Sequence, residues 1–178
     1  LGDVYKRQRE ESPSLQGPPY LSGPNYEEKY QYKQSITNMG NPKAFLTIHR
    51  QEAGYRPVHE RIDDFSEVEQ TLNSSDRRTQ ASRCMDCGVP FCQAGVSFEG
   101  VLLGCPLHNL IPEWNDLLWN GDYEGALQRL LKTSPFPEFT ARVCPALCEK
   151  ACVCGRVSQP VTVRENELAI IEYAFEND

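Results

Sequence analysis

The chain has 178 residues, 39% of them hydrophobic, and a net charge of −7. That length allows one domain plus extensions, and an acidic chain without a basic, aromatic-interleaved stripe does not read as a nucleic-acid binder. No run approaches the ~18 apolar residues of a membrane span, and the N-terminus lacks the basic start and apolar core of a signal peptide. The expected setting is therefore the reducing cytoplasm, with no membrane partner.

Residues 1–38 are rich in Pro, Gly, Ser, Gln and charge, with Pro13, Pro18, Pro19 and Pro24 among them. Such a segment buries too little apolar surface to offset chain entropy. It is expected to be a disordered or non-native extension, with Met39 as a natural start and a short docking segment as the alternative. Residues 39–74 carry Phe45, Leu46, Ile48, Tyr55, Val58 and Phe65, punctuated by Gly54 and Pro57. This reads as an extended arm that packs on another part of the protein.

A helix is expected from Ser75, capped by Ser74 or Ser75, with Asp76 favoured in the first turn by the helix dipole. It delivers the chain to Cys84. In 108–132, Pro112 suits a first-turn position, and Trp114, Leu117 and Leu118 follow at i, i+3 and i+4. Asn120-Gly121-Asp122 ends that helix, and Asp122 caps a second one with an Ala126, Leu127, Leu130, Leu131 face. Pro135-Phe136-Pro137 is a stiff connector. Val161-Thr162-Val163 is a short strand candidate. Residues 164–176 form a last helix with Leu168, Ile171 and Phe175 on one side. The fold class is mainly α, and the expected division is an arm at 39–74, a helical body at 75–163 and a helix and linker at 164–178.

All eight cysteines lie between Cys84 and Cys154: Cys84-x₂-Cys87-x₄-Cys92, then Cys105-Pro106, then Cys144-Pro145-x₂-Cys148-x₃-Cys152-x-Cys154. In a reducing compartment, clustered cysteines more often hold metal than form disulfides. Zinc sites usually show two short-gap knuckles, whereas only Cys84 and Cys87 form one here. His108 follows Cys105 alone, and a lone His is more often a surface or core residue. A tight triplet plus Cys-Pro pairs resembles [4Fe–4S] patterns, in which three ligands come from one loop and a distant Cys-Pro supplies the fourth.

On a continuous helix, Cys144 and Cys148 would be one turn apart, while Cys152 would lie ~12 Å along the axis from Cys144. Unless the helix breaks, Cys152 then serves a different cluster. This divides the thiols into Cys84, Cys87, Cys92 and Cys152 for one cluster, and Cys105, Cys144 and Cys148 for a second with one place open. Cys154 is a chemically suitable candidate for that place, although its near neighbour Cys152 is committed elsewhere.

The segments Arg83–Cys92, Gly104–Leu117 and Phe136–Glu149 resemble signatures of the glutamate synthase small (beta) subunit family, and Met39–Leu46 resembles its start. The resemblance covers roughly 39–178. The same domain type occurs in dihydropyrimidine dehydrogenase and in the flavin subunit of ferredoxin:NADP⁺ oxidoreductase. It implies an alpha-helical ferredoxin type of domain with two [4Fe–4S] clusters. It also implies a non-Cys fourth ligand after the Pro160–Val163 stretch, which falls on Glu167 and leaves Cys154 a free thiol.

The resemblance further implies an oxidoreductase subunit, with these residues holding iron and not acting as acid–base catalysts. Electrons from NADPH and FAD would pass through the clusters to the FMN-containing large (alpha) subunit, for glutamate synthesis from 2-oxoglutarate and glutamine. The family's FAD fingerprint, G-x-G-x-x-G/A, does not occur here. The chain is thus expected to be an N-terminal piece whose FAD and NADPH domains lie beyond it. The alternatives are a related flavin oxidoreductase subunit and a zinc-stabilised interaction module without redox chemistry.

Overall fold

The computed structural model describes residues 41–177, so the expectations for 1–38 and Met39 lie outside the described residues. Eight α-helices and one two-stranded hairpin form the described fold, in accord with the mainly helical class. In chain order they are α1 (Ala44–Thr47), α2 (Val58–Arg61), α3 (Ser74–Ala81), β1 (Val96–Phe98), β2 (Val101–Leu103), α4 (Ile111–Asn120), α5 (Tyr123–Leu130), α6 (Pro137–Val143), α7 (Leu147–Lys150) and α8 (Val163–Asn177).

The arm segment docks mainly through polar groups. The Gln80 side chain accepts from the Gln51 N–H at 3.0 Å and donates to the His49 carbonyl at 3.1 Å. Arg50 donates to the Pro160 carbonyl at 3.1 Å. Ala44 is buried and Phe45 packs against the core, whereas Leu46, Tyr55, Val58 and Phe65 stay exposed.

Helix α3 is capped one residue before the expected cap. Asn73 accepts from the Asp76 N–H at 2.9 Å, leaving Ser74 and Ser75 inside the helix. Helices α4 and α5 follow the sequence reading closely. Pro112 sits in the first turn of α4, Gly121 ends it with a left-handed φ of 83°, and Asp122 accepts from the Gly125 N–H at 2.8 Å. A left-handed residue after a helix is where glycine is favoured.

Helix α4 packs against α5 and α3, and α8 lies across α6, α5, α3 and α4. Ile111, Trp114 and Leu118 from α4, Ala126 and Leu130 from α5, and Val163 and Ile170 from α8 form the core, with Cys148 and Cys154 in the same cluster. A polar strut crosses it. Arg77 of α3 bonds Asn166 and Glu165 of α8 at 3.2 and 3.0 Å, and Asn166 donates to Asn115 of α4 at 2.8 Å.

Two local expectations are corrected. Val161-Thr162-Val163 makes no strand: Val163 opens α8, and the Asn166 N–H reaches back to the Thr162 carbonyl at 3.0 Å. All three residues are buried, and no strand among the described residues pairs with them, so tertiary packing overrides their β propensity. On α8, Leu168 and Ile171 pack with Ala141, but Phe175 is exposed because the final turn is mostly solvent-facing.

The hairpin is a feature that the elements read from sequence did not include. Strands β1 and β2 pair antiparallel, Val96 with Leu103 and Phe98 with Val101, around Glu99 and Gly100 at φ 49° and 79°. Two central residues with positive φ match the backbone twist of a short hairpin. The hairpin folds residues 93–104 out of the way, so that the Cys105 N–H donates to the Cys92 carbonyl at 2.7 Å.

Gly104 makes this closure possible. It has a φ of 80°, and a Cβ there would strike the Phe91 carbonyl oxygen and the Ala94 nitrogen. Gly104→Ala is expected to lower stability by about 1–3 kcal/mol, from backbone strain, and to lower iron retention. Gly88, with open space where its Cβ would be, is the control: Gly88→Ala should leave the urea midpoint and iron content near wild type. Equal behaviour of the two variants would rule out this account of the closure.

Candidate metal centre

The cysteines occupy loops and short helical turns around the ends of the longer helices. Helix α3 delivers Cys84, whose N–H closes a turn onto the Ala81 carbonyl at 3.0 Å. Asp86, in a left-handed conformation with φ 47°, turns the chain between Cys84 and Cys87. Cys92 lies in the 3₁₀ turn Phe91–Gln93, and Cys152 begins the 3₁₀ turn Val153–Arg156.

Cys84 has Cys92, Cys152 and Cys87 as its thiol neighbours, and Cys92 has Cys152 and Cys87. Burial pushes the Cys84 and Cys92 thiols up to about 12, and it raises Cys87 as well. Backbone N–H groups aim at these sulfurs: Asp86 at Cys84, Gln93 at Cys92, and Val161, Cys154 and Gly155 at Cys152.

A second group lies around α6 and α7. Cys148 is buried in α7, with Cys105 and Cys144 as thiol neighbours, and burial raises its thiol above the ordinary range. A continuous helix through Cys144, Cys148 and Cys152, the condition of the spacing argument, does not form. Helix α6 ends at Val143, Cys144 is extended, Ala146 is left-handed at φ 54°, and Cys152 follows the single turn of α7. Pro145 forces this break, since it removes an N–H and disfavours helix in the residue before it. Cys152 and Cys144 still belong to different neighbourhoods, although the reason is the broken chain path and not a rise along one axis.

Cys154 and Glu167 sit in different places. Cys154 is 2% exposed, its thiol neighbours are Cys152, Cys84 and Cys87, and its S–H donates to the Arg83 carbonyl at 3.7 Å. It therefore lies behind the first group. Glu167, on α8, accepts from the Thr140 hydroxyl at 2.5 Å and from the Ser134 hydroxyl at 3.4 Å. Burial raises its carboxyl pKa against the opposing pull of those two hydroxyls. Thr140 is on α6, and its carbonyl accepts from the Cys144 N–H at 3.0 Å, so the carboxylate is anchored one helical turn before Cys144. His108 lies at the base of the hairpin, with Nδ1 3.2 Å from the Gln93 carbonyl.

Among the described residues, no three His, Cys, Asp or Glu side chains close on a single point as one ion's ligands do. A zinc ion ~2.3 Å from each sulfur needs that closure, whereas a cubane takes its thiolates at separate iron corners. The donor chemistry fits the second case: soft, half-buried to buried sulfurs, with N–H groups aimed at those of the first group. Beside the second group, a cleft of about 240 Å³ is lined by Cys144, Pro145, Ala146 and the ion-paired Arg50 and Glu149.

The family described as dihydropyrimidine dehydrogenase domain II, 4Fe-4S cluster, matches residues 61–178. The chain belongs to that family. Members of the wider set similar to this 4Fe-4S domain include the glutamate synthase [NADPH] small chain of Bacillus subtilis, 45% identical over 139 residues, covering 78% of this chain and 28% of that protein. The small chain from Mycobacterium tuberculosis H37Rv is 48% identical over 139 residues, covering 78% and 27%. The glutamate synthase [NADH] of Schizosaccharomyces pombe is 42% identical over 134 residues, covering 75% and 6%. The chain thus spans little more than a quarter of the length of these two small chains. Among the described residues, no helix is long and apolar enough to cross a membrane.

The sequence reading left several residues of this 4Fe-4S domain unassigned. Thr140 and Ser134, which hold Glu167, have no signature of their own, because hydroxyl residues in helices are common. The N–H donors to sulfur are backbone groups and leave no trace in residue type. Arg83 stands in the sequence only as the first residue of a motif; its contacts come from segments far away in sequence.

Proposed function

We propose that this chain is the electron-transfer section of a glutamate-synthase-type oxidoreductase. In this reading Cys84, Cys87, Cys92 and Cys152 hold one [4Fe–4S] cluster, and Cys105, Cys144, Cys148 and Glu167 hold the second. The observation that carries the reading is the grouping of the eight thiols into a neighbourhood of five, Cys154 among them, and one of three. When bound, such clusters supply one-electron chemistry at potentials tuned by ligand type, burial and hydrogen bonds to sulfur.

The chain's own residues do the holding and the tuning. Thiolates bind iron, and the N–H groups of Asp86, Gln93, Val161 and Gly155 stabilise charge on sulfur. Trp114, Leu118 and Leu130 exclude water from the core behind the sites. The Cys105–Cys92 backbone bond joins one residue assigned to each site, which would keep an electron's path between them short. FAD and NADPH would be bound by domains beyond this chain. The electrons would leave for a large subunit making glutamate from 2-oxoglutarate and glutamine, in the cytoplasm.

Glu167 is supported as the eighth ligand by its burial and by its anchoring one turn before Cys144. Cys154 lies with the first group, which already has four thiols. After anaerobic purification, Glu167→Ala is expected to lose or alter one cluster's EPR signal, and Cys154→Ala to keep the iron of both. The reverse result would transfer the ligand role to Cys154. A colourless wild-type protein holding zinc and no iron would end the electron-transfer reading.

A further inference from the structure

Two arginines are fully buried among the described residues, and their surroundings differ. Arg77 is 1% exposed and has the Glu165 carboxylate at 3.0 Å. Arg83 is 0% exposed and has no carboxylate within ion-pair distance among the described residues. Its three donor nitrogens all go to backbone: Nε to the Ile48 carbonyl at 3.0 Å, and the two terminal nitrogens to the Pro160 and Gln159 carbonyls at 2.8 and 2.7 Å. Carbonyl dipoles satisfy the N–H groups and leave the full positive charge unneutralised. A guanidinium does not deprotonate in proteins, and a buried charge without a partner is strongly unfavourable.

The thiol groups supply what faces this charge. Arg83 immediately precedes Cys84, and its own carbonyl accepts from the Cys154 thiol. Its favourable electrostatic neighbours are Cys154 and Cys152, while Arg50 opposes it. Arg50 is itself neutralised by Glu149 and Glu52.

We propose that Arg83 is the counter-charge of the cluster held by Cys84, Cys87, Cys92 and Cys152, and that it raises that cluster's potential. The proposal rests on the two-cluster reading. Four thiolates on a [4Fe–4S] core leave a net negative charge, and one added electron increases it. A fixed buried cation therefore favours the reduced state more than the oxidised one, which raises the potential. The guanidinium keeps its protons throughout, and the electron resides on iron. Low local dielectric makes this influence larger than at a surface site.

The test uses the complete protein purified anaerobically with its clusters, with EPR-monitored redox titration of wild type, Arg83→Gln and Arg83→Lys. In Arg83→Gln the reduced-to-oxidised ratio of the first cluster, read at the wild-type midpoint, is expected to fall about tenfold, or about 59 mV for one electron. The second cluster should stay near its wild-type midpoint. Arg83→Lys, which keeps the charge but loses the three-way fork, should stay within about twofold, less than 20 mV.

If Arg83→Gln fails to load, iron content decides. Loading of the first cluster in the lysine variant and not in the glutamine variant supports the charge role. Equal loss in both variants, loss in the lysine variant alone, or unchanged midpoints would show that Arg83 only ties three carbonyls together, and would overturn the proposal. Wild-type protein without iron would end the two-cluster reading itself, before any variant is compared.

Discussion

Cys148→Ala is expected to remove one cluster and leave the other. Iron should fall from about eight to about four atoms per chain, with labile sulfide falling in step. Cys148 is buried with Cys105 and Cys144 beside it, and burial holds its thiol protonated in the absence of a cation. A metal-bound thiolate there depends on the metal's charge, since binding requires the deprotonated form. Cys152→Ala should give the complementary result, because its thiol neighbours are Cys84, Cys87 and Cys92. The EPR signal that survives in one variant should be the signal missing in the other. Two variants that keep the same signal, or that both lose all iron while remaining folded, would reject the division into four and three.

Trp114→Ala is expected to have the largest effect on stability. The side chain is 0% exposed at the centre of the core, and its Nε1–H donates to Asn109 Oδ1 at 3.0 Å. Truncating a buried Trp costs about 3–5 kcal/mol through lost burial and the cavity left behind. That is a large part of the ~5–15 kcal/mol available to a typical domain. Asn109 keeps a second partner in the Thr133 hydroxyl at 3.1 Å, so the loss is mainly one of packing. Urea unfolding of the cluster-loaded protein should show it, together with faster bleaching in air as water reaches the sulfurs. A change below ~1 kcal/mol would mean that the core does not depend on this residue.

Much of the helical frame was legible from local chemistry. Pro112, the Trp114-Leu117-Leu118 spacing, Gly121 and Asp122 locate α4 and α5, because caps and periodicity act within a few residues. The cap of α3 was placed one residue late: Asn73, Ser74 and Ser75 are all good caps, and only the observed bond to Asp76 distinguishes them. The hairpin between Cys92 and Cys105 escaped notice because Glu99 is not a typical residue for a left-handed position. Its twist is imposed by Gly100 and by closure across Gly104. At Val161–Val163, three buried residues with β-favouring side chains read as a strand, yet the burying surfaces are helices.

The thiol division shows how a sound spacing argument can rest on a wrong local picture. Cys144, Cys148 and Cys152 fit helix spacing, but Pro145 and the left-handed Ala146 break the path. By itself, the sequence determined the chemistry available: eight thiols in one stretch, a mainly helical frame around them and a family signature. These follow from residue type and short-range spacing.

Only the tertiary structure decided which thiols are neighbours, that Cys154 lies behind the first group, that Glu167 is anchored before Cys144, and that Arg83 is a buried charge without a carboxylate among the described residues. Each of these depends on segments far apart in sequence meeting in space. Burial and charge compensation are properties of that meeting, and no single segment carries them.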